Sequence, residues 1–172
     1  MPFFVALILI IAGVVGIDQL TKWLIYFNLP LNQDIVIIPN VLEITHIQNP
    51  GMAFGLLADH PWIFHTLSIL GIGAIGVYLF KFSKDSRFSK IGFALIIGGG
   101  IGNMIDRTIL RSVVDMIHIT IFNDFFPWVF NVADSCVCVG VGMVLVGIIC
   151  DIIKEEKSKR ANSKAVQDDE DN

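Results

Sequence analysis

Four stretches of this 172-residue chain are too apolar to be left in water. A helix that crosses a bilayer needs about 20 mostly apolar residues. The first stretch runs from Phe3 to about Phe27 and is uncharged as far as Ile17. The second runs from about Pro61 to Phe80, and the third starts near Ile91 and is uncharged through Ile105. The fourth runs from Pro127 to Cys150 with Asp134 as its only charge. The chain is 54% hydrophobic and 16% charged, an apolar share above that of a soluble domain, so the excess faces lipid. The reading is a mainly α, polytopic membrane protein with four transmembrane helices.

The opening "MPFFVALILIIAGVVG" has no Lys or Arg and no small-x-small cleavage site, and it runs on through "IDQLTKWLIYF". It is expected to stay as a helix rather than be removed as a leader. Lys81, Lys84, Arg87 and Lys90 lie between spans two and three, and Lys154, Lys157, Lys159, Arg160 and Lys164 follow span four. With four alternating helices, these nine of the twelve basic residues share one side. The positive-inside rule puts that side, and both termini, in the cytoplasm. The connections 28–60 and 106–126 then face outward.

In the first outward connection, "DIVIIPNVLEITHI" (34–47) is rich in β-branched residues and broken by Pro39-Asn40. It reads as a short hairpin on the membrane surface. Residues 1–153 form a single membrane domain, and the charged tail 154–172, ending "QDDEDN", is expected to be disordered. A net charge of −4 without a basic, aromatic-interleaved stripe argues against nucleic acid as a partner. The three cysteines all sit in the last apolar stretch, which excludes a disulfide framework in loops. "GIGAIG" (71–76) lies mid-span with no strand before it and is not a dinucleotide loop. Gly98-x-x-x-Gly102 suits close helix packing.

Ionisable residues cluster at the outward ends of spans one, three and four. Asp18 and Lys22 are four apart on one helix face, and Asn103, Asp106 and Arg107 share another. Both sets suit ion pairs that hold the helices, Asp106 with its neighbour Arg107. Asp115 and Asp134 have no basic neighbour in sequence and are embedded in apolar residues. With Trp128 as an interfacial anchor, Asp134 lies six residues further in, roughly 9 Å at 1.5 Å per residue. A charged Asp at mid-membrane costs about 2.5–3.5 kcal/mol and less at this depth, so the residue is a functional candidate.

Two carboxyl groups brought close in a low-dielectric site cannot both ionise and come to share a proton. The ionised member can take a proton from water that attacks a carbonyl carbon, while the protonated member polarises the carbonyl oxygen. That design needs no metal or cofactor, and His46, His60, His65 and His118 make no zinc pattern. A proton or cation relay would also use membrane acids, but it should place polar groups in the inner halves of the spans, which are uncharged in spans two, three and four. A non-catalytic assembly protein, with its acids paired to Lys22 and Arg107, is a second alternative.

Five blocks in order bring a resemblance. "DQLTK", "NPGMAFGLL", "GGGIGNMIDR", "VVDMI" and "FNVADS" resemble the blocks of the bacterial lipoprotein signal peptidase (signal peptidase II) family over about Phe3 to Ile153. Met116 departs from the Phe common after the first aspartate of that pattern. The resemblance implies an intramembrane aspartic endopeptidase of the bacterial inner membrane, active near its outer face. Its substrates are prolipoproteins carrying diacylglycerol on a cysteine, cut just before that cysteine. By position it implies a catalytic pair, Asp115 and Asp134. It implies dyad support or substrate contact at Asn49, Gly51, Asn103, Arg107 and Asn131, and architectural roles for Asp18, Lys22 and Asp106. It also implies a small extracytoplasmic sheet at about 34–58.

Overall fold

The computed structural model describes residues 3–50, 61–82, 86–122 and 129–170. Gly51, Trp128 and the boundary near Asp59-His60-Pro61 lie outside the described residues or at their limit.

Helix α1 (Phe3–Asn28) leads into strands β1 (Asp34–Ile38) and β2 (Leu42–Asn49). Helix α2 (Pro61–Val77) passes into a π turn, Tyr78–Phe82. Helix α3 (Arg87–Ile109), strand β3 (Val113–Ile119), a 3-10 turn (Thr120–Phe122), strand β4 (Val129–Phe130) and helix α4 (Val132–Glu170) follow. Three helical stretches are long and apolar enough to cross a membrane, Phe3–Asn28, Arg87–Ile109 and Val132–Lys157. The described part of α2 has 17 residues, about 25 Å at 1.5 Å per residue, short of a full hydrocarbon core. The second of the four expected spans is thus present as an apolar helix that continues without a break into the π turn, and three of the four are of spanning length within a single α-helix.

Helix α3 is the hub and packs against α4, α1 and α2. Its mean hydropathy, 1.4, is the lowest of the three long stretches because glycines and polar residues replace large side chains. Those glycines are where neighbours approach. A Cβ on Gly98 would come within 2.8 Å of Val14, and one on Gly102 within 2.5 Å of the Asp18 carboxylate, both on α1. A Cβ on Gly99 would strike the Ala133 carbonyl of α4. Gly92 and Gly140 face each other's backbone oxygens across α3 and α4. Dispersion between close backbones replaces the hydrophobic effect that lipid cannot supply. By contrast, Gly71, Gly73 and Gly76 of α2 meet nothing within 4 Å.

The expected hairpin is present: β1 pairs antiparallel with β2, and Asn40 takes the left-handed conformation (φ 58°) in the turn between them. The sheet does not stop there. β2 pairs with β3 and β3 with β4, giving a four-stranded sheet in the order β1-β2-β3-β4. Only Leu110, Arg111 and Ser112 separate α3 from β3. Arg111 makes that reversal with φ 58°, a region where a glycine would be unstrained. The strand carrying Asp115 is therefore tied directly to the end of the hub helix.

Past residue 154, where a disordered tail is expected, the backbone of α4 stays helical to Glu170. The segment is rich in the strong helix formers Lys, Glu and Ala, and Lys159 pairs with Glu155 one turn back at 2.9 Å.

Gly102→Ala should destabilise the protein in detergent by about 1–3 kcal/mol, because the new methyl overpacks against Asp18. Gly13→Ala, which meets nothing, should be neutral or slightly stabilising. Thermal unfolding of the two variants checks the contrast.

Candidate active site

Lys22 is 1% exposed and Asp18 is 0% exposed, one turn apart on α1. The ammonium group reaches Asp18 at 2.9 Å, Asp106 of α3 at 3.2 Å and the side-chain oxygen of Asn103 at 2.8 Å. Its three N–H donors thus have three acceptors. Asp106 pairs with Lys22, across two helices, and not with its sequence neighbour Arg107 as the sequence suggested. A buried cation surrounded by two carboxylates offsets the desolvation that either carboxylate would suffer alone.

Each of those carboxylates also holds backbone. Asp106 accepts from the Val114 N–H at 3.0 Å, which anchors the start of β3 to α3. Asp18 accepts from the Ala133 N–H at 2.8 Å, at the beginning of α4. Gln19, one residue along α1, donates to Asp106 at 2.9 Å and to the Gly102 carbonyl at 3.1 Å. One lysine therefore fixes the relative positions of α1, α3, β3 and α4. Sequence reasoning missed Gln19. Its signal is its place between Asp18 and Lys22 in the polar block "DQLTK" of an otherwise apolar helix.

Asn131 immediately precedes α4 and caps it. Its side-chain oxygen accepts from the Asp134 N–H at 2.9 Å, and Asp134 accepts from the Asn131 N–H at 3.3 Å. This reciprocal cap satisfies two backbone donors at the helix start and sets the direction of the Asp134 carboxylate. The Asn131 amide then reaches the other way, donating to Asp115 at 2.7 Å and to Asn103 at 3.1 Å. Asn103 donates its own amide to Asp134 at 2.7 Å. The Lys22 ammonium on the Asn103 oxygen fixes which end of that amide faces Asp134, because an ammonium needs an acceptor.

Asp115 is 3% exposed on β3, opposite Ile47 of β2. It accepts from Asn49 at 3.1 Å as well as from Asn131. Burial pushes its carboxyl up to about 6. The Asn49 hydrogen bond opposes that rise, the charge of Asp134 adds to it, and Asn131 and Lys22 again oppose it. Arg107 donates to the Asn103 backbone oxygen at 3.4 Å, and the charges of Asp134, Asp115 and Asp106 act on its guanidinium.

Of the sequence-derived residues, the structure gathers Asp115, Asp134, Asn49, Asn103 and Asn131 into one hydrogen-bonded cluster. Asp18, Lys22 and Asp106 lie directly behind it, joined through Asn103. Gly51 falls outside the described residues. Among the described residues, the ion pairs include neither Asp115 nor Asp134, and no three His, Cys, Asp or Glu side chains converge as a metal site.

Two carboxyl groups joined through asparagine amides, Asp115 on β3 and Asp134 in the first turn of α4, make a layout open to acid–base hydrolysis of the aspartic type. Known proteins bear this out at the level of family. A family model described as signal peptidase (SPase) II matches residues 9–150. The lipoprotein signal peptidase of Bacillus subtilis (strain 168) is 40% identical over 159 residues, 92% of this chain and 100% of that protein. A solved bacterial membrane enzyme matches with a TM-score of 0.78 at 33% identity, over 86% of this chain and 89% of that one. A second structure under the same description gives 0.76 at 33% identity, over 83% and 92%. The chain belongs to the signal peptidase II family of aspartic endopeptidases.

The Asp115 carboxyl should titrate near 6, with predictable displacements. Asp134→Asn removes a negative neighbour and should move the titration down; Asn49→Ala removes a donor to the anion and should move it up. The pH dependence of the protonated-carboxyl infrared band checks both directions.

Proposed function

We propose that this chain removes the signal peptide from diacylglyceryl-modified prolipoproteins, with Asp115 and Asp134 as its catalytic pair, cutting just before the lipidated cysteine. The observation that carries the assignment is the Asn131 bridge, which donates to Asp115 while exchanging hydrogen bonds with Asp134. One residue thereby joins both acids in a single hydrogen-bonded group.

In this reading the pair shares one proton. Asp115 is taken as the holder, since burial raises its carboxyl to about 6. The ionised carboxylate takes a proton from water as the water oxygen bonds to the scissile carbonyl carbon. The protonated carboxyl gives its hydrogen to the carbonyl oxygen. The resulting tetrahedral species collapses when the C–N bond breaks: the leaving nitrogen takes a proton from the acid that received it, and one hydroxyl of the tetrahedral carbon returns its proton to the other acid, which restores the starting pair. Asn49, Asn103 and Asn131 hold the acids, and Arg107 adds positive charge nearby. Gly51 is proposed as a substrate-side position on the resemblance alone. Asp18, Lys22 and Asp106 keep the helices in register. No metal or cofactor enters the scheme.

The finer architecture belongs to the same proposal: four spans in the bacterial inner membrane, both termini cytoplasmic, and the pair near the outer face. Residues 1–153 make the peptidase unit and 154–172 an accessory tail. The clustering of basic residues at 81–90 and 154–164 supports the orientation. Acyl chains on the substrate bury about 0.8 kcal/mol per CH₂ in the bilayer, concentrate it beside the site and set the depth of the bond to be cut.

Purified Asp115→Asn and Asp134→Asn should each lose about 10²–10⁴-fold or more in cleavage of a diacylated prolipoprotein while remaining folded in detergent. A matched unlipidated precursor should be cut far more slowly by wild type. Retained turnover in either variant removes that residue from the pair, and equal rates on the two substrates remove the lipid from recognition.

Cysteines engineered at Ser86 and Ser163 should both be shielded from an impermeant thiol reagent in intact cells. Labelling at either position reverses or breaks the topology.

A further inference from the structure

Behind β3 lies a cavity of about 160 Å³ that the chemistry above does not use. Trp23, Tyr26 and Phe27 at the outward end of α1, Ile109 and Leu110 at the end of α3, and Val114 form its apolar wall. Gln19, Lys22 and Asp106 close its inner end. Successive side chains of a strand point to opposite faces, so Val114 turns into the cavity while Asp115 turns to Asn49 and Asn131.

The charged groups at the inner end have little left to offer a polar ligand. The Lys22 ammonium already has Asp18, Asp106 and Asn103. Asp106 is taken by Lys22, Gln19 and the Val114 N–H. Gln19 spends its amide hydrogens on Asp106 and Gly102. An ionic headgroup entering here would have to break this network, whereas a hydrocarbon chain would not. The mouth is continuous with the lipid-facing surface: Trp23 is 54% exposed, Phe27 67% and Ile109 64%. Aromatic side chains at a helix end also match the level where headgroups meet acyl chains.

We propose that this cavity holds the end of one acyl chain of a bilayer phospholipid, seated against Val114 on the side of β3 away from Asp115. The chain supports β3 from behind. It belongs to a resident lipid and not to the substrate, whose reacting bond lies on the Asp115 face. The site stands independently of the peptidase reading, because its occupancy is read without turnover.

The test uses the full chain in detergent with a phospholipid carrying a photoreactive diazirine on one acyl chain, followed by mass mapping of the adducts. Labelling should concentrate on the peptides holding Tyr26, Leu110 and Val114, and saturate with lipid. The same lipid should raise Tm saturably. Leu110→Trp, or the milder Leu110→Phe, fills the space and should abolish both effects while labelling of the exposed α4 face at Val139 and Leu145 persists. Uniform labelling over all lipid-facing residues, or unchanged labelling in a folded filled variant, overturns the site. A diacylated substrate peptide that displaces the phospholipid label from Val114 overturns the assignment to a resident lipid.

Discussion

The ammonium of Lys22 is the interaction on which the rest of the structure depends. Helices in lipid gain nothing from hiding apolar surface, so their relative positions must come from close packing and polar contacts. Lys22 supplies the polar part. It sits between Asp18 and Asp106 and is bonded to Asn103, all buried. Removing one partner of such a buried set typically costs about 3–5 kcal/mol, because the groups left behind have no water to turn to. The two carboxylates in turn hold the Ala133 and Val114 N–H groups, so the same cation fixes where α4 and β3 begin. Asp134 and Asp115 are each one residue further along.

The glycines of α3 make this arrangement sterically possible. Gly102 leaves the space that the Asp18 carboxylate occupies, and Gly99 lets the Ala133 backbone approach. A helix with ordinary side chains at these positions would hold α1 and α4 apart, and Lys22 could not reach Asn103. The low apolarity of α3 and the tightness of the polar cluster are therefore one feature.

Much of this was legible in the sequence, and the limits follow from physics. The spans α1, α3 and α4 are long apolar runs, which depend only on local composition. The pairing of Asp18 with Lys22 follows from helical spacing. Strand β3 was not foreseen, although Val113, Val114, Ile117 and Ile119 carry β-branched side chains; a seven-residue strand between two helices has meaning only against its β2 partner. The partner of Asp106 was misread for a related reason. Sequence adjacency favoured Arg107, but adjacent residues on a helix point about 100° apart, and the choice went to a lysine on another helix. The double role of Asn131, cap and bridge at once, depends on three elements meeting and has no local signature.

The reciprocal cap on α4 has a mechanical consequence. The bond from the Asn131 N–H to Asp134 closes the first turn of a helix whose candidate membrane span runs from Val132 to Lys157. Hydrogen bonds to an ionised carboxylate are roughly twice as strong as those to a neutral one. The strength of this cap therefore depends on the charge of the carboxylate that accepts it. The oxygen pair that the proposed chemistry would use is in this way also part of the fastening that starts α4.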